Sequence, residues 1–123
     1  MSLPHRLALA TALALLPLAP ASSHHGWGWA TNEEFRLPGV ARQVRNGNSH
    51  GTMILATRQG NWTVEIGQPW RMERAGLTDA VLRPGASVVV HGHRSAKGGE
   101  RLMKAERIVI GNKSYNLYPD RPS

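Results

Sequence analysis

Short segments that alternate apolar and polar residues, separated by turn-forming residues, constrain the fold of this chain more than any other feature. The clearest is WTVEIG, residues 62–67, in which Trp62, Val64 and Ile66 point to one side and the intervening polar residues to the other. One face of that strand is therefore expected to be buried. Several such strands bounded by glycine, proline and asparagine are typical of a small all-β sandwich or barrel.

The order of the elements favours one all-β fold over the others. Strands are predicted over residues 39–46, 52–58, 62–67, within 82–93 after a Pro-Gly turn, and over 101–112. A short helix is predicted over residues 69–76, because Pro69 suits a first helical position and Gly76 suits a helix end. An OB-type barrel of five strands places its helix between strands three and four, so the sequence predicts a small OB-fold-like barrel. A small open sandwich is the alternative.

The fifth predicted strand contains a change of phase. Met103 and Ala105 alternate together, but Ile108 and Ile110 belong to the opposite phase. One extra residue in the strand restores the alternation, which predicts a β-bulge near Glu106.

The first 21 residues have the pattern of a secretory signal peptide. A short start carrying Arg6 precedes an uncharged apolar run over residues 7–19. Ala19-Pro20-Ala21 fits cleavage after Ala21, whereas cleavage after Ser23 is the alternative and would make His24 the first residue. The run is shorter than the roughly 20 residues that span a bilayer. We therefore expect a periplasmic or secreted protein that is not embedded in the membrane after cleavage.

The mature chain is expected to form one domain, with a flexible arm before it and a short tail after it. Cleavage leaves about 100 residues, enough for one modest core. Residues 22–33 contain glycines and no apolar periodicity, which indicates a flexible arm before a barrel domain at 34–118 and a tail at 119–123. There is no cysteine, so disulfides and a lipoprotein anchor are excluded.

The basic composition limits the class of partner. Lys and Arg number 15 against 8 Asp and Glu, a formal net charge of +7. Such a balance in the cytosol would suggest nucleic acid, but export leaves lipid head groups, acidic polysaccharides and acidic proteins as the available anions. The positive residues are spread along the chain, which is also typical of an ordinary solvated surface.

The histidines suggest a metal site. The candidate ligands are His24, His25, His50, His91 and His93. Cleavage after Ala21 would expose Ser22-Ser23-His24, whose amine, two amides and imidazole form the square of nitrogens that Cu(II) or Ni(II) prefers. On a strand, residues 91 and 93 share a face about 6.5 Å apart, close enough for two imidazoles to converge on one metal. Solvent-facing polar residues on the strand, and a structural role for His50 in its turn, are the alternatives.

Three tryptophans are candidate contacts for a ligand or partner. Trp27 and Trp29 alternate with glycine in the arm, where they could cap a barrel end, shield the histidines, or stack on a sugar or a partner. Trp70, in the first turn of the predicted helix, is expected to pack over a barrel end. Trp62 is expected in the core.

Several short motifs in order along the chain match a known pattern. They are His24-His25, Asn48-Ser49-His50, Trp62 with Glu65, Pro69 through Gly76, Leu82 with Pro84-Gly85, and Val88, Val90 and Gly92. In this respect the chain resembles an exported bacterial family catalogued as domain of unknown function 6152. Ser49 stands where that family usually has proline, and Gly26-Trp27 stands where serine and an aromatic residue are usual. The resemblance implies export and an OB-like fold, and it favours the histidine pair as part of a metal site. It implies no established activity.

No catalytic set is recognisable in the sequence. Glu33 and Glu34 are adjacent, so their side chains diverge in extended chain, and no nucleophile elbow, phosphate loop or zinc-protease helix is present. We therefore expect a binding module rather than an enzyme. Two functions remain open: binding of copper or nickel through the mature N-terminal histidines, and recognition of a protein, glycan or other envelope component.

Overall fold

The computed structural model describes residues 26–47 and 49–121, and its main feature is a sheet that curls into a closed barrel. The strands are β1 (Phe35–Arg45), β2 (Gly51–Thr57), β3 (Gly60–Gly67), β4 (Ser87–Arg94), β5 (Leu102–Ile110) and β6 (Lys113–Asn116). One helix, α1 (Pro69–Ala75), lies between β3 and β4. The signal peptide predicted over residues 1–21 lies outside the described residues.

The barrel closes through a pairing of strands that are distant in sequence. The strand order is β3-β2-β1-β4-β5-β6, with neighbours antiparallel, and β3 also pairs with β5 in parallel. In that parallel pair Val64 lies opposite Met103 and Glu65 lies opposite Lys104. Five strands thus form a closed barrel with a short helix between the third and fourth, which confirms the predicted OB-like fold.

The bulge predicted near Glu106 is present. His91 pairs with Arg107 and Gly92 pairs with Ala105, so Glu106 has no partner of its own on β4. The bulge restores the phase of β5, because Ala105 and the residue three positions later, Ile108, are both fully buried. A side chain at Gly92 would overlap the backbone carbonyl of Lys104, so the barrel requires glycine there.

Two features of the sheet differ from the sequence prediction. β1 begins at Phe35, four residues before the predicted start, and β6 was not predicted. Pro38 lies within β1, but residues 35–39 pair only with β4, and pairing with β2 begins at Val40. A proline is tolerated there because its missing N–H lies on the unpaired edge.

The core fills the barrel and extends beneath the helix. Its largest fully buried side chains are Met53, Leu55, Ile66, Leu82, Met103, Ile108, Leu117, Val64 and Val90. Helix α1 contributes Met72, which is 6% exposed, and Ala75 packs against the same cluster. The helix ends at Gly76 in the left-handed conformation (φ 79°), whose N–H donates to the Glu73 carbonyl at 3.0 Å.

In its described part, residues 26–33, the predicted flexible arm lies against the barrel. Ala30 forms a β-bridge with Ser95, and the Thr31 N–H donates to the Arg94 carbonyl at 2.8 Å. The Ala96 N–H donates to the Trp29 carbonyl at 2.9 Å. These bonds join the arm to the end of β4. Among residues 26–47 and 49–121, no helix has the length and apolar character needed to cross a membrane.

Candidate functional site

A pocket of about 490 Å³ lies between the arm and the barrel. Its lining comes from five parts of the chain: the arm, the β1–β2 loop, β3 with the start of α1, β5, and the segment after β6. The lining residues are Gly26, Trp27, Ser49, His50, Glu65, Gly67, Gln68, Arg71, Lys104 and Tyr118. We refer to this cavity as the arm pocket. Most of its side chains are polar or aromatic, which distinguishes it from the apolar barrel interior.

Glu65 and Lys104 form the floor of the arm pocket. They lie opposite each other in the parallel β3–β5 pair, on the outer face of the barrel. An outer face normally contacts water, yet Glu65 is only 7% exposed and Lys104 only 8%. The Lys104 Nζ donates to the Gly26 carbonyl at 2.8 Å, so the arm covers this face. Burial lowers the pKa of Lys104 below its ordinary value; Glu65 opposes this shift, while Arg71 and Arg121 reinforce it.

His50 is the histidine that lines the arm pocket. Its Nε2 lies 3.4 Å from the Glu65 Oε1, and its side chain is 23% exposed. Of the five candidate metal ligands in the sequence, His24 and His25 lie outside the described residues. His50 lines the pocket together with Gly26, the residue that directly follows His24 and His25 in the sequence.

Arg71 and Tyr118 form the wall beside the helix. The Arg71 guanidinium carbon lies 4.2 Å from the Tyr118 ring centroid and 4.3 Å from that of Trp70, so the guanidinium contacts two aromatic rings. Its Nη1 donates to the Leu117 carbonyl at 3.3 Å, and its Nε donates to the Gln68 Oε1 at 3.2 Å. Burial raises the pKa of the Tyr118 hydroxyl; Arg71 opposes this shift.

Trp27 joins the arm to the barrel. Its ring contacts the His93 and Tyr118 rings edge-on, with centroids 5.2 and 5.0 Å away. Arg121 lies 3.8 Å from the Trp27 ring centroid, and the Lys104 Nζ lies 4.7 Å from it. Trp27 thus covers His93, one of the roles predicted for the arm tryptophans, and two cations already contact its ring.

His93 is a buried structural residue rather than a ligand available to a metal. It is 5% exposed, its Nδ1 lies 2.9 Å from the Thr31 carbonyl oxygen, and its Nε2 lies 3.0 Å from the Glu106 Oε2. A carbonyl oxygen only accepts, so Nδ1 carries a proton. Nε2 then either donates to the carboxylate or accepts from a protonated carboxyl. Both ring nitrogens are engaged in either state.

His91 lies two residues away but has different partners. Its Nδ1 accepts from the Arg107 Nη2 at 3.2 Å, and Glu34 forms an ion pair with Arg107 at 2.8 Å. Burial lowers the pKa of His91, and the positive charge of Arg107 adds to that effect. The Nδ1 lone pair of His91 is therefore occupied by the Arg107 guanidinium.

The described residues do not assemble a metal site by themselves. Within residues 26–47 and 49–121, no three His, Asp or Glu side chains are grouped so as to hold a metal ion. The convergence of His91 and His93 on one metal is therefore not supported, because each is bonded to its own partners.

Trp29 is half-buried, and its carbonyl joins the arm to Ala96. Trp70 is 50% exposed, so the expected packing over a barrel end is wrong.

Sequence reasoning identified His50, Trp27 and Trp70 but missed four residues that shape the site. Glu65 and Arg71 lie within motifs that match the family but had no predicted role in binding, and Lys104 and Tyr118 belong to no motif. The one available signal is that Glu65 and Lys104 occupy the polar phase of their strands. Their proximity arises from the parallel β3–β5 pairing, which local periodicity does not encode.

Comparisons with known proteins address the family and the fold. A model of DUF6152, described as a family of unknown function, matches residues 13–103. No curated protein matches the sequence. The chain is similar to TiaS, a tRNA agmatidine synthetase, in its complex with an isoleucine tRNA, AMPCPP and agmatine, with 19% identity and a TM-score of 0.50 over 63% of this chain and 18% of that one.

A second similar structure is the ZRD-deleted mutant of TiaS in complex with agmatine. It has 18% identity and a TM-score of 0.49, over 69% of this chain and 26% of that one. The chain thus spans only a small part of either relative. At this identity, the likeness of the first complex shows the fold alone.

Proposed function

Because this chain belongs to DUF6152, a family of unknown function, we propose from its own geometry that it is an exported binding module whose ligand occupies the arm pocket. Export is supported by the leader pattern over residues 1–21. The pocket volume of about 490 Å³ lies in the usual range for small-molecule sites. The observation that carries the proposal is that five titratable or charged side chains meet in this one cavity: His50, Glu65, Arg71, Lys104 and Tyr118.

The proposed activity is binding without catalysis. His50 and Glu65 form a pair 3.4 Å apart, and Arg71 is held by aromatic rings and backbone. Such preformed polar groups orient a ligand at little cost in ordering side chains. An envelope component with several hydrogen-bonding groups, such as a saccharide, suits this lining.

Protein-observed NMR tests the proposal. Amide shifts would be followed while neutral sugars, sugar acids, amino acids and dipeptides are added in turn to the mature protein. A ligand is expected to shift Gly26, His50, Gly67 and Gln68. Mass analysis of exported protein should at the same time show loss of residues 1–21. A second pocket is lined by residues that include Arg36, Pro38 and Val88 and shares no residue with the arm pocket. Retention of the leader, or shifts confined to this second pocket, would contradict the proposal.

Copper binding is the second candidate, favoured by the position of Gly26. Gly26 lines the same pocket as His50, and Gly26 directly follows His24 and His25 in the sequence. The mature N-terminal amine, His24 or His25, and His50 could together bind Cu(II), or Ni(II) in the same geometry. The positive charges of Lys104 and Arg71 oppose a cation, which places this candidate second.

A copper titration separates the two candidates. Protein with an authentic mature N terminus would be titrated with Cu(II) and observed by visible absorption. Copper binding predicts a d–d band that is lost in the His24→Ala plus His25→Ala variant and kept in the matched His91→Ala variant. A flat spectrum at equimolar copper would remove this candidate.

A further inference from the structure

We infer that the ligand of the arm pocket carries a single carboxylate, which binds between Lys104 and Arg71. This inference rests on the proposed function and adds the chemical class of the ligand. Its basis is a pair of cations that line one pocket and have no carboxylate partners in the described part of the chain.

Lys104 is a nearly buried cation that feels the charge of Glu65, opposite it in the β3–β5 pair, but has no carboxylate within ion-pair distance among the described residues. It is 8% exposed, and no Asp or Glu among the described residues forms an ion pair with it. One of its three N–H groups donates to the Gly26 carbonyl. Trp27 and Tyr118 rings lie 4.7 and 5.5 Å from its Nζ, which compensates only part of the lost hydration. Two donors on Nζ remain to bind an anion.

Arg71 presents a fixed donor edge to the same pocket. Its guanidinium contacts the Trp70 and Tyr118 rings, and one N–H on each of Nη1 and Nε is used by Leu117 and Gln68. Three of the five N–H groups of an arginine therefore remain, including both on Nη2. No carboxylate among residues 26–47 and 49–121 pairs with Arg71. A planar fork with a free edge suits a planar carboxylate.

The charge of the lining specifies a monoanion. With His50 counted as neutral, the described lining residues carry two positive charges, on Lys104 and Arg71, and one negative charge, on Glu65. Glu65 is already paired with His50 at 3.4 Å. One added carboxylate brings the pocket to neutrality, whereas a phosphate dianion would leave it negative. Arg71 and Arg121 both lower the pKa of Lys104, so an anion placed among these cations relieves their mutual repulsion.

Calorimetric titration tests this inference directly. The mature protein at low ionic strength would be titrated separately with D-glucuronate, D-glucose, acetate and inorganic phosphate. Glucuronate is expected to bind at least about tenfold more tightly than glucose, because each charge-assisted hydrogen bond contributes more than a neutral one. If glucuronate binds more tightly than acetate, the carboxylate belongs to a sugar acid; equal binding indicates a free small carboxylate.

Three variants assign the effect to the two cations. Lys104→Met and Arg71→Gln are each expected to weaken glucuronate binding at least about tenfold. Lys97→Met removes an exposed lysine outside the pocket and should leave the affinity unchanged. If Lys104→Met fails to fold, Arg71→Lys replaces the fork by a point charge and should still weaken binding.

Each outcome of these titrations either supports or overturns carboxylate binding in the arm pocket. Equal binding of glucose and glucuronate, tighter binding of phosphate than of either carboxylate, or no binding of either carboxylate would overturn the inference. The proposed function would survive any of these results if the NMR panel finds a neutral or zwitterionic ligand in the arm pocket. It fails separately if no member of that panel shifts the pocket residues.

Discussion

Replacing His93 by phenylalanine is expected to destabilise the barrel far more than the same replacement of His91. His93 is 5% exposed and bonds to both Thr31 and Glu106. The His93→Phe variant removes the hydrogen bond to the Glu106 Oε2 and leaves Glu106, which is 2% exposed, with only the Arg121 Nε at 3.7 Å from its Oε1. Each buried group left without its hydrogen bond costs about 1–3 kcal/mol, and His93→Phe removes two such bonds, to the Thr31 carbonyl and to Glu106, so a loss of about 3 kcal/mol or more is expected. Each kcal/mol lowers the Tm of a domain of this size by about 4–8 °C, so a fall of at least about 12 °C is expected.

The matched control is His91→Phe, two residues away on the same strand. His91 is partly exposed, and its contacts with Arg107 and Glu34 lie near the surface. Loss of such contacts is expected to cost less than about 1 kcal/mol. Urea unfolding of both variants at neutral pH, followed by tryptophan fluorescence and circular dichroism, gives the two free energies. Values that agree within about 0.5 kcal/mol would refute the structural role assigned to His93.

Four further outcomes follow from the same contacts. Gly92→Ala should destabilise the barrel by about 1–3 kcal/mol or more in urea unfolding, because its Cβ would meet the Lys104 backbone, whereas Gly98→Ala, with open space, should not. Burial and Arg107 lower the pKa of His91 below 6.5, so the unfolded chain binds more protons than the folded one. The contribution of His91 to stability is therefore complete above about pH 6.5 and decreases as the pH falls. In unfolding measurements, His91→Gln should make stability depend less on pH in this range. Trp27→Ala should speed hydrogen exchange at the Thr31 amide, whereas Trp70→Ala, at a side chain 50% exposed, should not. The affinity for glucuronate, measured by calorimetry, should decrease at alkaline pH as Lys104 loses its proton. Because burial lowers the pKa of Lys104, this decrease should begin at a lower pH than it would for an ordinary lysine.

Local sequence patterns were sufficient for most of the fold. Alternation over residues 62–67 and turn residues on either side predicted β3, and Pro69 and Gly76 bounded the helix correctly. The phase change in β5 located the bulge at Glu106. β6 was missed because its four residues, KSYN, show no alternation that distinguishes them from a loop. The early start of β1 was missed because Pro38 normally argues against a strand.

The candidate site was less accessible to sequence reasoning, because long-range pairing creates it. His91 and His93 lie two residues apart on β4, but only His93 lies beneath Trp27 and beside Glu106. The bulge and the docked arm separate their environments, and neither effect is visible in a two-residue spacing. Glu65 and Lys104 come together only when β3 meets β5 in parallel.

The pKa of the Lys104 ammonium, measured by NMR with and without D-glucuronate, tests the arm pocket most directly. Without ligand it is expected below the ordinary value of 10.5, with burial as the main cause. A carboxylate bound beside Nζ favours the charged form, so saturating glucuronate should raise this pKa, while glucose should leave it unchanged. An identical titration of Lys104 in the presence and absence of glucuronate would contradict carboxylate binding at this site.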